Sequence, residues 1–155
     1  MAESNTAELW HEYMRSDIAP LWNLEFSTAK WNQGFVRDNG HIFLLVSLDK
    51  SGLGKEHQYA DKFLSANQFQ WVSQNQTKRT SATGQKIRAH AEDGTKVHLF
   101  VRDKRKTPVG SAAPFVYCGD VRFIDWTGDE PITVRWQLDR SLPNHLVQRF
   151  IGKTK

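Results

Sequence analysis

Two segments near the C-terminus alternate apolar and polar residues, and this period constrains the fold more than any other feature. In "PITVRWQLD" (131–139) the even-numbered residues from Ile132 to Leu138 are all apolar, whereas the residues between them are polar. Successive side chains of a strand point to opposite faces, so the pattern predicts a strand with one buried face. The segment "PFVYCGDVRFIDWT" (114–127) predicts a second strand, separated from the first by "GDE".

Similar patterns predict further strands earlier in the chain. The turn signal "DNG" (38–40) precedes the apolar run "HIFLLVSL", and "FQWVSQN" (69–75) alternates around Trp71. Because Asp-Gly between two alternating runs is typical of a hairpin, we expect "GQKIRAHA" to pair with "TKVHLFVRD". Helices are expected in "NTAELWHEYMRSDI", which Pro20 follows, and in "LPNHLVQRFIG". A short helical turn is expected around residues 58–64.

About six strands with helices chiefly at the termini indicate the α/β (α+β) class. We expect a bent, mostly antiparallel sheet or a small barrel with flanking helices. Residues 1–24 are interpreted as an N-terminal helix or extension, and residues 25–155 as the domain itself. A chain of 155 residues can bury one core of this kind.

The composition argues against several classes of protein. With 39% hydrophobic and 25% charged residues, the chain resembles a globular protein, and neither a membrane-length apolar run nor a signal peptide is apparent. A cytoplasmic location is therefore expected. The single Cys118 excludes an internal disulfide and a cysteine-rich zinc site. No nucleotide-binding glycine motif and no H-E-x-x-H occurs, so we expect no cofactor, no metal and no enzymatic activity.

Positive charge is concentrated in one part of the chain. Between residues 76 and 106 there are nine lysines and arginines against three acidic residues, although the whole chain carries only +4. Such a local excess is expected of a surface that contacts phosphates, and a solvated lysine-rich face is the alternative interpretation. The polar loop from Gln76 to Gly84 lies within this region and is too long for a tight hairpin turn.

Several segments, in this order and spacing, resemble a known family: "FQWVSQN", "TGQKI", "KVHLFVRDKRK", "FVYCGDVRF" and "PITVRWQLDRSLP". They are similar to the C-terminal domain of unknown function that follows superfamily 2 (DEAD/DEAH-type) helicase modules in many bacterial proteins. Some of those proteins are ATP-dependent type IV restriction enzymes, in which this domain recognises the target. The resemblance implies a PUA-like or SRA-like fold and recognition of a modified base by base flipping, with helicase and nuclease activities on other domains or chains.

A protein that extrudes a base needs aromatic faces, groups that hydrogen-bond the edge of the base, and cations for the DNA backbone. The candidate base-pocket residues are Trp31, Asn32, Tyr59, Asp61, Trp71, Ser73, Gln74, Asn75 and Tyr117. The candidate DNA-backbone residues are Thr77, Lys78, Arg79, Thr80, Ser81, Lys86, Arg88, Arg102, Lys104, Arg105 and Lys106. An Asp suits cytosine, because a carboxylate accepts from the N4 amino group.

The expected function is therefore that of a DNA-binding domain that recognises 5-methylcytosine or 5-hydroxymethylcytosine for a restriction or defence system. Recognition of phosphorothioate DNA or modified RNA on the same fold is the first alternative. A nuclease subunit with an unrecognised active site is the second, and a protein-docking module is the third. The expected partners are DNA and the helicase and nuclease components of a restriction system. No association with a membrane is expected.

Overall fold

The chain is described by a computed structural model, which covers residues 7–48, 61–73, 77–104, 106–129 and 131–151. Eight strands and four short helices follow one another along these segments. In order they are β1 (Glu12–Tyr13), α1 (Arg15–Leu21), α2 (Thr28–Trp31), β2 (Phe35–Asp38), β3 (His41–Ser47), β4 (Lys62–Ser65), β5 (Gln68–Val72), α3 (Ala82–Arg88), β6 (Lys96–Arg102), β7 (Phe115–Thr127), β8 (Thr133–Leu138) and α4 (Asn144–Leu146), which continues as a π-helical turn (Val147–Ile151).

All eight strands belong to one sheet. Seven of them follow the order β2-β3-β6-β7-β8-β5-β4, and β1 pairs with β7. Only β3 and β6 are parallel among the described strands. The predicted α+β class and the mostly antiparallel sheet are confirmed. The sheet is not closed into a barrel, because β2 and β4 form its two ends and do not pair with each other.

The centre of the sheet is buried on both faces. Along β3, Ile42, Leu44 and Val46 pack into one apolar cluster, whereas Phe43 and Leu45 pack into a second cluster on the other face. A strand covered on both faces needs a continuous apolar run, which is what "HIFLLVS" provides. The turn before β3 also has the predicted chemistry, since Asn39 (φ 50°) and Gly40 (φ 82°) both have the positive φ of a type I′ hairpin.

The predicted N-terminal helix is wrong in its position. Residues Glu12 and Tyr13 instead form β1, which pairs with Val116 and Phe115 of β7. Helix α1 begins only at Arg15, where the Asp17 carboxylate accepts from the Met14 N–H at 3.1 Å, and Pro20 lies inside its last turn. Pairing with β7 gives residues 12 and 13 backbone hydrogen bonds to a distant part of the chain, and the local helical pattern contains no information about such a partner.

The predicted hairpin across Asp93-Gly94 is also wrong. Residues 82–88 form helix α3, whose N-cap Ser81 accepts through Oγ from the Gly84 N–H at 3.1 Å. Strand β6 therefore pairs with β3 and β7. The helical turn expected around 58–64 is replaced at its end by strand β4, and residues 58–60 lie outside the described part of the chain.

The two C-terminal strands are confirmed as β7 and β8, and Cys118 is a core residue with no exposed surface. The final helix is present as α4 and its π-helical continuation. Within the described segments, no helix has the length and apolar character needed to cross a membrane.

Candidate functional site

A pocket of about 500 Å³ lies between the end strand β2 and strand β5, which is the second strand from the other end of the sheet. Its walls come from β2, β3, β5 and the end of β6. The rings of Phe35 on β2 and Trp71 on β5 are 5.7 Å apart, so these strands face each other without being paired. We call this cavity the edge pocket. It lies beside the free edge of β2, which a closed barrel would pair with another strand.

The edge pocket brings together four of the predicted base-pocket residues. Asn32, Asp61, Trp71 and Ser73 all line it, although Asn32 belongs to a different described segment from the other three. Asn32 is exposed just after α2, whereas Trp71 is only 4% exposed and packs against the first apolar cluster. The pocket therefore combines an aromatic wall with an amide, a carboxylate and a hydroxyl group.

Asp61 and Ser73 are held in place by backbone hydrogen bonds at the end of β5. Asp61 Oδ1 accepts from the Val72 N–H at 2.7 Å. Ser73 Oγ accepts from the Ile132 N–H at 2.9 Å, and the Ser73 N–H donates to the Ile132 carbonyl at 2.9 Å. These contacts fix both side chains relative to the strand without the help of a ligand.

Two arginines form the positive side of the edge pocket. Arg102, which is 8% exposed, donates from Nε to Ser47 Oγ at 2.7 Å and from Nη1 to the Ala113 carbonyl at 2.9 Å. Arg15 donates from Nη1 to the carbonyls of Trp31 and Gln33 at 2.8 and 3.0 Å. Both guanidinium groups lie over the Phe115 ring, at 4.3 Å for Arg102 and 5.2 Å for Arg15. Burial lowers the pKa of Arg15 from its ordinary value.

Two other predicted base-pocket residues lie elsewhere. Trp31 has no exposed surface and packs on Phe43 at 4.9 Å between ring centroids, in the second apolar cluster. Tyr117 belongs to the same cluster, where its hydroxyl is 3.3 Å from His98 Nδ1. Neither residue lines the edge pocket. The predicted Tyr59, Gln74 and Asn75 lie outside the described residues.

The first predicted backbone-contacting segment forms a compact turn, residues 78–81, which we call the basic turn. The Lys78 carbonyl accepts from the N–H and the hydroxyl of Ser81 at 3.0 and 2.6 Å, and Gln85 Nε2 donates to the Arg79 carbonyl at 2.7 Å. Lys78, Arg79 and Thr80 are exposed on this turn, whereas Thr77 before it is buried.

Asp129, in the loop between β7 and β8, is hydrogen-bonded to the basic turn. Its Oδ1 accepts from the Arg79 N–H at 2.7 Å and from Arg79 Nε at 3.4 Å. The backbone hydrogen bond from Arg79 holds the pKa of the Asp129 carboxyl below its usual value. The Arg79 guanidinium is thus positioned, but it is partly engaged by an acidic neighbour.

The remaining predicted backbone contacts divide by exposure. Arg102 is buried in the edge pocket, whereas Lys86, Arg88, Lys104 and Lys106 are exposed and Arg105 lies outside the described residues. Sequence reasoning missed Arg15 as a pocket residue, because the predicted helix gave no reason to bring it to the sheet ends. No signal in the sequence pairs Arg15 with Phe115.

The described residues contain no group of three or more His, Cys, Asp and Glu side chains that could hold a metal ion. Burial also raises the pKa of the Cys118 thiol, which disfavours the nucleophilic thiolate. The edge pocket combines one aromatic wall, hydrogen-bonding groups, the buried cation Arg102 and the half-buried cation Arg15.

Comparison with known protein families assigns the chain to one family. The model of a domain of unknown function, DUF3427, matches residues 8–150, which span almost the whole sequence. The matched region includes every described element of the sheet and all of the edge pocket. No curated protein matches the chain. The chain therefore belongs to the DUF3427 family of domains of unknown function.

Proposed function

We propose that this domain binds DNA and recognises 5-methylcytosine or 5-hydroxymethylcytosine by taking the flipped base into the edge pocket. The observation that carries the proposal is the convergence of Asn32, Asp61, Trp71 and Ser73 on one cavity. Proteins that act on or recognise an extruded base stack it on aromatic side chains and hydrogen-bond its edge. The edge pocket supplies both kinds of group.

The size and charge of the edge pocket support this assignment. A volume of about 500 Å³ is within the range of small-ligand sites and exceeds what one pyrimidine base requires. The Asp61 carboxylate suits the N4 amino group of cytosine, which is a hydrogen-bond donor. Arg15 and Arg102 add positive charge that would favour the phosphate next to an extruded nucleotide.

Two groups of predicted backbone-contacting residues are close in sequence to residues that line the edge pocket. Ser73 lines the pocket, and Lys78 follows five residues later, within about 18 Å of extended chain. Arg102 lines it as well, and Lys104 is only two residues away. A DNA strand whose base occupies the edge pocket would therefore lie close to both basic segments.

The discrimination between plain and methylated cytosine should be modest. Burying one methyl group contributes about 0.8 kcal/mol, or roughly fourfold in affinity, and a closely shaped pocket raises this to about 1–3 kcal/mol. Contacts with phosphates supply most of the affinity and make it sensitive to salt. Phosphorothioate DNA or modified RNA is the alternative ligand, because the same cations and the same aromatic wall would serve it.

In a cell, such a domain would direct helicase and nuclease activities carried on other domains or chains to modified DNA. This assignment rests on the resemblance of "FQWVSQN" and "KVHLFVRDKRK" to the target-recognition domain of type IV restriction enzymes. The isolated domain is expected to bind without cutting. Cleavage by the pure domain, lost when an acidic residue is replaced, would favour a nuclease subunit instead.

The test is equilibrium binding to four duplexes of one sequence: plain, 5-methylcytosine, 5-hydroxymethylcytosine and phosphorothioate. The key variant is Asp61→Asn, because the amide oxygen can still accept from the Val72 N–H while the charge is lost. Because plain and modified cytosine carry the same N4 amino group, we expect this variant to bind each duplex more weakly without a change in the salt dependence of binding. An affinity for the modified duplexes that is unchanged in Asp61→Asn would exclude the carboxylate from the recognition of the base.

The backbone role is tested with Lys78→Ala/Arg79→Ala. The matched control is Arg122→Ala/Arg140→Ala, which removes two exposed cations from outside the predicted DNA-binding surface. The first variant should weaken binding to all duplexes equally and lower the slope of log affinity against log salt by about 2. Equal effects of the two double variants would reject the basic turn as a specific DNA contact.

A further inference from the structure

Three neighbouring strands place a chain of hydrogen-bonded polar groups in the second apolar cluster, away from the edge pocket. His98 Nδ1 lies 3.1 Å from Asp120 Oδ1, and His98 Nε2 lies 3.0 Å from His41 Nδ1. His98 is only 3% exposed, whereas His41 and Asp120 are half-buried. His41 begins β3, and the edge pocket lies at the other end of that strand, about 20 Å away.

A bulge in β7 aims Asp120 at His98. In a regular strand, Tyr117 and Asp120 would point to opposite faces because they are three residues apart. Gly119 has a φ of 89°, and the pairing register shifts here, so that His98 faces Asp120 while Phe100 faces Tyr117. Both side chains then reach His98. Bulges that redirect side chains in this way occur often beside functional sites.

The hydrogen bonds determine where the protons are. A carboxylate only accepts, so His98 Nδ1 carries the proton that is donated to Asp120. In neutral His98, Nε2 then accepts from the Nδ1–H of His41. This leaves His41 Nε2 as an unprotonated nitrogen, and no described residue is hydrogen-bonded to it.

The surrounding residues hold this arrangement rigidly. The Trp22 ring lies 4.6 Å from the His98 ring and 6.3 Å from the His41 ring, and Phe43 stacks on His98 at 5.1 Å. Burial lowers the pKa of His41 and the neighbouring His98 lowers it further, while the hydrogen bond from His98 lowers the pKa of Asp120. Buried polar networks without a packing purpose are candidate functional sites.

We propose that Asp120, His98 and His41 form a proton relay that makes His41 Nε2 a general base for water or for a hydroxyl-bearing ligand. When Nε2 takes a proton from such an O–H, the Nδ1 proton of His41 passes to His98 Nε2. The resulting imidazolium of His98 is then stabilised by the Asp120 carboxylate. This is the arrangement by which a buried carboxylate supports an acid–base histidine in known catalytic sites.

Two further charged residues, Lys96 and Asp38, affect the protonation of His41. Lys96 is the register partner of His41 on β6 and disfavours a second positive charge there. Asp38, the hairpin partner of His41, favours the protonated imidazole, but it is paired with Lys30 at 3.0 Å. His98 and Lys96 thus oppose Asp120 and Asp38, and the neutral form of His41 prevails near pH 7.

The first test is ¹⁵N NMR of the histidine rings in the wild-type domain at pH 7. The relay requires that both His41 and His98 carry their proton on Nδ1. A protonated Nε2 on His41 would overturn the proposal, because the nitrogen assigned as the base would then be a donor. This measurement requires no substitution and is independent of any effect on folding.

The second test is acylation by diethyl pyrocarbonate, followed for each histidine by mass spectrometry. The Nε2 lone pair of His41 attacks a carbonyl carbon, an N–C bond forms and ethyl carbonate leaves. The Nδ1 proton passes to His98 and finally to ethyl carbonate, which yields ethanol and carbon dioxide. Because burial lowers the pKa of His41, its acylation should persist below the ordinary histidine pKa of about 6.5.

The variant for this test is Asp120→Asn, in which the amide oxygen can still accept from His98 Nδ1–H while the negative charge is removed. We expect acylation of His41 to slow severalfold, whereas the exposed His11 and His145 keep their wild-type rates and serve as internal controls. Unchanged reactivity of His41 in this variant would show that Asp120 contributes packing alone, and the relay would be rejected.

Discussion

At the scale of single residues, Gly84 has the tightest environment on the predicted DNA-binding surface. It is buried in α3 beneath the basic turn, and a Cβ built there would overlap the Lys78 carbonyl oxygen and lie 2.8 Å from that of Arg79. These are backbone atoms held by Ser81 and Gln85, so they cannot move away cheaply. The absence of a side chain is what lets the turn rest on the helix.

We therefore predict that Gly84→Ala lowers the free energy of unfolding by about 1–3 kcal/mol, the usual cost of overpacking. Thr83→Ala, one residue earlier in the same helix, should change stability by less than about 0.5 kcal/mol. Urea denaturation of both variants measures the difference. A Gly84→Ala variant as stable as Thr83→Ala would mean that the basic turn is not packed on α3.

His90 should make stability depend on pH. In its neutral form, Nδ1–H donates to the Thr95 carbonyl at 3.0 Å, and Nε2 accepts from the Phe123 N–H at 3.1 Å. Burial lowers the pKa of His90, so the folded state disfavours the protonated ring. The stabilisation is fully present above the unfolded pKa of about 6.5, and it is lost as the pH falls below that value.

Unfolding free energies at pH 7.5 and 5.5 test this prediction. His41, whose pKa is also lowered, contributes in the same direction. The loss of stability between the two pH values should be smaller in His90→Gln than in the wild type, and unchanged in the exposed control His145→Gln. An equal pH dependence in all three proteins would contradict the role assigned to His90.

The chemical types of the site residues were easier to predict than the direction in which each side chain points. The amide, carboxylate and hydroxyl groups of Asn32, Asp61 and Ser73 could be selected as candidates from their chemistry, because such groups hydrogen-bond the edge of a base. Their burial, which leaves Asp61 9% and Ser73 7% exposed, could not be predicted. Trp31 and Trp71 could not be told apart, since both are aromatic residues next to polar ones. The structure separates them through tertiary packing: Trp31 faces Phe43, and Trp71 faces Phe35 across the open sheet.

At the scale of elements, strand β7 has the most pairing partners among the described strands of the sheet. It pairs with β1, β6 and β8 along its thirteen residues and bends at the Gly119 bulge. Gly119 has a positive φ, and a Cβ there would lie 2.8 Å from Leu9 Cδ2. Replacing it should therefore disturb both the strand and the packing of the N-terminal segment.

Gly119→Ala and Gly110→Ala form a matched pair, because their φ values of 89° and 91° impose the same backbone strain while only Gly119 has a neighbour within 4 Å. Gly110→Ala should cost about 1 kcal/mol, and Gly119→Ala should cost up to about 1 kcal/mol more, because only the tip of the half-buried Leu9 side chain has to move. Thermal and urea unfolding give both values. Equal losses would show that the bulge tolerates a side chain.

Strands with long alternating patterns were predictable, and elements stabilised by distant partners were not. Strands β7 and β8 follow from their own residues, because alternation determines which face is buried. Strand β1 has only two residues, and it exists because β7 offers hydrogen bonds to Glu12 and Tyr13. Helix α3 depends on the Ser81 cap and on the burial of Gly84 and Ile87. These signals are weaker in the sequence than the turn pattern of Asp93-Gly94, which favoured a hairpin.

At the scale of the whole molecule, the open sheet accounts for the proposed function. The end strand β2 approaches β5 at Phe35 and Trp71, and a pocket lies between the two strands. The sequence could not determine this, because bent sheets and barrels share one pattern. The positively charged segment, residues 76–106, begins three residues after the pocket residue Ser73 and includes the pocket residue Arg102. Affinity and specificity are thus expected from neighbouring surfaces with different chemistry.

The most direct test of this account is whether a modified base leaves the DNA stack when the domain binds. A duplex with 5-methylcytosine next to 2-aminopurine would be titrated with the domain at low salt, and the fluorescence followed. Extrusion of the methylcytosine unstacks its neighbour, so we predict an increase in fluorescence that saturates with binding and is reduced in Asp61→Asn. Saturable binding of the wild type without any change in fluorescence would contradict the account, because the base would then have remained in the helix.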